Sequence, residues 1–196
     1  MLEQAVNAYE QLLPLMDMPV NPMNYNSDED SLSSANKVVN NGESHLEFEY
    51  AKTELAYCYI LVGRLVDAKH LLNFVGKEIY LLVGLQHIYT ARSIFVLGYF
   101  KHVIGKFYDS NVLYAQSEDI LKQIVGMKHP FVVQLILASS DNFRCPGYFE
   151  EAVQRLNQSF TIASSMYEKD SIMVNLALVS RAVLMRDLGD LAEAAR

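Results

Sequence analysis

Glycines stand at 63, 105, 147 and 189, each 42 residues from the next. Other positions keep the same register. Five residues after each glycine comes a small side chain: Ala68, Ser110, Ala152 and Ala194. Two residues after each comes a large apolar one: Leu65, Phe107, Phe149 and Leu191. Seven residues before each comes another small one: Ala56, Gly98, Ser140 and Ala182. A chain that repeats one pattern of side-chain sizes at a fixed interval folds as a stack of one supersecondary unit, each copy covering the apolar face of its neighbour.

The unit reads as two helices. Small residues at matching sites on both let the helix axes approach closely, because the side chains at the contact set that distance. The glycine falls between the two apolar-periodic segments, where it ends the first helix with a positive φ. The periodicity predicts pairs at about 46–62 and 65–81, 88–104 and 107–124, 130–145 and 148–167. A last pair is expected at 172–188 and 190–196. Strand signals are absent. The expected fold is all-α, a right-handed superhelical solenoid of antiparallel helix pairs.

The second copy shows the unit most clearly: Leu97-Gly98, Lys101, Gly105, Phe107, Ser110, Tyr114, Ser117. This pattern resembles the tetratricopeptide repeat (TPR). Its 42-residue length is similar to the kinesin light chain and nephrocystin class, whose units end in a G-x-x-H-P linker. Gly126-Met127-Lys128-His129-Pro130 matches that linker. Gly84-Leu85-Gln86-His87 is the same site one unit earlier, with Ile88 in place of proline, and Glu168-Lys169-Asp170-Ser171 has lost the motif. The C-terminal helical part of SET/MYND-type methyltransferases has a similar register. The resemblance covers residues 46–196.

Before the repeats, residues 1–16 carry an apolar stripe that reads as a half-repeat helix ended by Pro14, Pro19 and Pro22. Residues 17–43 interrupt the register with an acidic, polar insertion expected to be disordered. Residues 44–196 then hold about three and a half units. Such a chain, opening and closing on half units, reads as a piece of a longer array.

Composition excludes several functions. There are 16 lysines and arginines against 23 acids, a net charge of −7, and no basic run. Broad contact with a nucleic-acid backbone is therefore not expected. No run of 18 apolar residues marks a membrane span, and the N-terminus lacks the basic and apolar regions of a secretory signal. Two cysteines, Cys58 and Cys145, suit a reducing cytoplasm. The histidines form neither H-x3-H nor H-E-x-x-H, so neither a metal nor a cofactor is expected. His87 and His129 belong to the linker register. Cys145 as a reactive thiol would need a lowered pKa. No catalytic residues are assigned.

The resemblance implies that the first helices line a concave groove. Its positions are Tyr50, Thr53, Tyr57, Ile60 and Leu61 in the first unit, and Arg92, Phe95, Tyr99, His102 and Val103 in the second. They are Gln134, Leu137, Asp141, Arg144 and Cys145 in the third, and Leu176, Val179, Val183, Arg186 and Asp187 in the fourth. The carboxylate clamp of chaperone-tail binders is not reproduced, since Arg92 alone fits it. The asparagines with which kinesin light chains hold cargo are replaced by Thr53-Glu54, Phe95-Val96 and Leu137-Ala138. The expected function is a non-enzymatic interaction module that binds a protein peptide or helix, or further repeats of its own parent chain, in an apolar groove. The partner-binding residues are taken to be Tyr50, Tyr57, Arg92, Phe95, Tyr99, His102, Leu137 and Arg144. The rival readings are the helical-repeat part of a methyltransferase and a structural piece of a large ciliary or motor assembly.

Overall fold

The computed structural model describes residues 2–16 and 32–189, with side chains described over 3–11 and 45–189. Eight helices occur among them and no strand: α1 (Leu2–Met16), α2 (Leu32–Leu61), α3 (Leu65–Val83), α4 (Ile88–Val103), α5 (Phe107–Ile124), α6 (Pro130–Arg144), α7 (Phe149–Met166) and α8 (Ile172–Asp187). The repeat helices lie within two residues of their expected bounds, except at the start of α2.

That start departs from the expected insertion. Residues 17–31, and the last helix expected at 190–196, lie outside the described residues. Residues 32–43, read from composition as irregular, are helical and continuous with the first repeat helix. Leu32, Ala35, Val38 and Val39 fall at helical spacing within this polar stretch, a periodicity that the composition outweighed. α1 likewise runs past Pro14 to Met16, because a proline near a helix end removes only one backbone bond.

All four register glycines have positive φ: 82° at Gly63, 77° at Gly105, 92° at Gly147 and 82° at Gly189. Three turns share one bond that returns to the residue five earlier: Arg64 N to Tyr59 O at 2.8 Å, Lys106 N to Lys101 O at 2.8 Å, and Tyr148 N to Phe143 O at 3.0 Å. This is the closing bond of a Schellman motif, which only a left-handed residue allows.

The linkers cap the next helix. His87 and His129 are extended N-cap residues whose Nδ1 accepts from Tyr89 N at 3.1 Å and Phe131 N at 3.2 Å. Each ring also meets the aromatic ring two residues on, edge to face. Ser171, in the same register, keeps this capping role by accepting from Val174 N at 3.3 Å. The third linker therefore loses the histidine and retains its function.

The chain forms two compact units, 1–84 and 85–196. In the first, α2 packs against α1 and α3 around Val6, Leu55, Ala56, Ile60, Val75 and Ile79. In the second, α4 pairs with α5, and α6 with α7, while α6 also meets α8. Small residues mark the close approaches. A Cβ on Gly98 would stand 2.9 Å from the Tyr114 ring. Ser117 Oγ donates to Ala91 O at 2.7 Å, and Ser140 Oγ to Ala152 O at 3.0 Å.

Candidate partner-binding groove

In the second unit α4, α6 and α8 are the first helices of successive repeats, and equivalent positions on them are 42 residues apart. The polar residues expected to line the groove bond to one another along this stack. Arg92 is 7% exposed. It donates to Gln134 Oε1 at 3.0 Å, a residue in its own register position one repeat on. Its guanidinium also lies over the rings of Phe95 and Phe131, at 5.1 and 5.2 Å. His102 Nδ1 lies 2.9 Å from Asn142 Oδ1, and Nε2 lies 3.5 Å from Asp141 Oδ2. Arg144 Nε donates to Asp141 Oδ1 at 2.8 Å, and its Nη1 reaches Asp187 on α8. Bonds from α4 to α6 and from α6 to α8 thus form a polar ladder.

The ladder sets its own electrostatics. The Asp141 carboxylate raises the pKa of His102 from its ordinary value, against burial, which lowers it. His102 in turn, with Arg144, lowers that of Asp141. Burial, followed by the charge of Asp141, pushes the Cys145 thiol up. That is opposite to what an activated nucleophile needs.

The eight residues assigned to the groove therefore differ in environment. Tyr50 and Tyr57 belong to the first unit, where both are half-buried on α2. Phe95 departs from its assignment as an anchor: it is 3% exposed and stacks on Tyr114 at 5.7 Å and Tyr99 at 6.3 Å. Its position faces the paired helix α5. Tyr99 is half-buried, with His102 stacked on it at 6.1 Å. Arg92 and His102 are engaged in the ladder. Leu137 and Arg144 line a cavity of about 360 Å³ between α6 and α8, together with Ser140, Asp141, Leu176, Val179, Ser180 and Val183. The apolar part of this trough is open, with Leu176 48% and Val179 61% exposed.

The register flags one residue that the groove assignment missed. Asn142 stands where the other repeats carry Cys58, Phe100 and Leu184. It is a polar residue at a mostly apolar position and is fully buried. Its Nδ2 donates to Phe107 O at 3.0 Å and Asn111 Oδ1 at 2.7 Å. This bonding joins α4, α5 and α6.

No family model and no curated protein matches the sequence. Solved structures do match. BtubC (BKLC) from P. vanneervenii superposes with a TM-score of 0.67 at 12% identity, over 99% of this chain and 69% of that one. A putative kinesin light chain with nearly identical TPR-like repeats, from Podosopora anserina, gives 0.62 at 18% identity, over 99% and 82% of the two chains. A second crystal structure of that protein gives 0.63.

The fold is TPR-like. Within it, the G-x-x-H linkers are helix caps, and the first helices α4, α6 and α8 carry the ladder and trough. None of the described helices is long and apolar enough to cross a membrane.

Proposed function

We propose that this TPR-like chain is a non-enzymatic protein-interaction module. Its second unit takes an apolar peptide or helical segment into the trough between α6 and α8. The observation that carries the reading is the split between polar and apolar groove residues. Arg92, His102 and Arg144 are held in the ladder, while Leu137, Leu176, Val179 and Val183 present an aliphatic surface. A concave apolar surface flanked by bonded polar groups suits an amphipathic segment laid in a groove. The net charge of −7 disfavours nucleic acid as the partner. Neither cysteine is disulfide-bonded, which suits the cytoplasm.

The test is affinity capture with the intact chain and with a Leu176→Glu/Val179→Glu variant. Both side chains are exposed, so the variant should keep the wild-type circular-dichroism spectrum and lose the captured proteins. Equal capture by a folded variant refutes the trough as the binding surface.

A further inference from the structure

One group between α4 and α6 has a geometry that suits a metal ion. Asn142 spends both amide hydrogens on Phe107 O and Asn111 Oδ1, so its Oδ1 can only accept. That oxygen lies 2.9 Å from His102 Nδ1. Nδ1 must therefore carry a hydrogen, and in the neutral ring Nε2 carries the lone pair. Nε2 faces Asp141 Oδ2 at 3.5 Å. A proton on Nε2 or a metal ion can bridge these two atoms. A charge-assisted N–H···O bond closes to about 2.7–2.9 Å, and this pair is more open. Nitrogen and oxygen ligands on one tetrahedral zinc ion stand about 3.4 Å apart. Cys145 follows Asp141 by one helical turn, on the same side of the helix. One donor atom from each of His102, Asp141 and Cys145 lies within 4.8 Å of the others.

We propose that His102 Nε2, Asp141 Oδ2 and Cys145 Sγ form a binding site for a divalent metal ion of zinc type, joining α4 to α6. A mixed nitrogen, oxygen and sulfur set selects zinc or cobalt over magnesium or calcium. Arg144 engages Oδ1 of Asp141 and leaves Oδ2 for the ion. Its positive charge is offset by Asp141 and Asp187. Asn142 supplies the outer carbonyl that orients a metal-bound imidazole in known sites. The Cys145 thiol is exposed at the end of α6. It closes on the ion by a rotation about its side-chain bond and releases its proton to solvent. Water completes the tetrahedron. The ligands come from α4, α6 and the residue that caps α6, with the first and last 43 positions apart, so no local motif announces them.

Co2+ titrated into the metal-stripped intact chain is the probe. The expected result is one Co2+ per chain, with tetrahedral ligand-field absorption and a thiolate-to-cobalt charge-transfer band, both displaced by Zn2+. Cys145→Ser should abolish the charge-transfer band with the helical spectrum unchanged. His102→Gln should weaken binding at least about tenfold, the scale of losing a group that orients or holds the metal. Absence of both absorptions in the wild type, or a band that persists in Cys145→Ser, overturns the site. Because Cys145 is exposed, that variant decides the matter even if His102→Gln destabilises the fold.

Discussion

Gly98→Ala tests whether the small residue seven places before each register glycine is required by helix approach. On helix propensity alone the change should stabilise α4 by about 1 kcal/mol. The surroundings oppose this. The new Cβ would lie 2.9 Å from two carbons of the Tyr114 ring and 3.2 Å from Leu113 Cβ. Tyr114 is buried and stacked on buried Phe95, so its ring cannot swing away without moving a second aromatic side chain. Overpacking of this kind costs about 1–3 kcal/mol. With two ring atoms in contact and no slack behind them, the upper end applies, and the net loss should be about 2 kcal/mol. Urea denaturation followed by circular dichroism measures it as a lower midpoint at unchanged slope. Pairing the substitution with Tyr114→Leu should recover part of the loss, giving a coupling of about 1 kcal/mol or more in the double-mutant cycle. If Gly98→Ala raises the midpoint, or the two changes add without coupling, glycine is not there to admit the Tyr114 ring.

In the first unit, Tyr59 donates to Glu10, and burial followed by that carboxylate pushes its pKa up to about 12. The folded state keeps a proton that the unfolded chain loses near pH 10. This stability is therefore complete below about pH 10 and falls by about 1–2 kcal/mol as pH rises through the folded pKa, the exposed Glu10 carboxylate being screened by solvent. Spectrophotometric titration should find a late-ionising tyrosine that is lost in Tyr59→Phe, and that variant should flatten the loss of stability; an unchanged profile removes the assignment. In the second unit, buried Glu118 on α5 accepts from Arg155 on α7 at 2.8 Å and pairs with Lys122 at 2.9 Å. Arg155→Met should cost about 2 kcal/mol, less than the loss of a wholly buried partner because Lys122 remains. Glu118→Gln should recover most of it in the double variant, as read from urea midpoints.

The 42-residue register made the helix bounds, the turns and the close approaches legible, because each of these repeats. The glycine turns at 63, 105 and 147 close with the same bond, and His87, His129 and Ser171 cap at one register position. Contacts that depend on differences between repeats were harder to read. Arg92 and Gln134 occupy the same register position, so their bond was in principle visible as a polar pair 42 residues apart. His102 meets residues 39 and 40 positions on, and Arg144 meets one 43 on. Those offsets follow from how one helix lies across the next, which spacing does not encode. Phe95 misled for a related reason. Its ring is buried between Tyr99 of its own helix and Tyr114 of the paired helix α5.

The ladder also changes what binding should look like. If Arg92 and Arg144 are partner contacts, association is charge-driven and weakens as salt screens it. Their bonds to Gln134, Asp141 and Asp187 mean that a partner would have to break existing bonds before using them. Each would be replaced at best by an equivalent one, with little net gain. On the proposed reading, the favourable change left is burial of Leu137, Leu176, Val179 and Val183. That contribution is insensitive to moderate salt and carries a negative heat-capacity change. Isothermal titration of a captured partner segment should therefore give an affinity that varies less than about threefold between low and high sodium chloride, with enthalpy growing more negative on warming. A steep loss of affinity with salt would return Arg92 and Arg144 to the partner and make the ladder a resting state that binding opens.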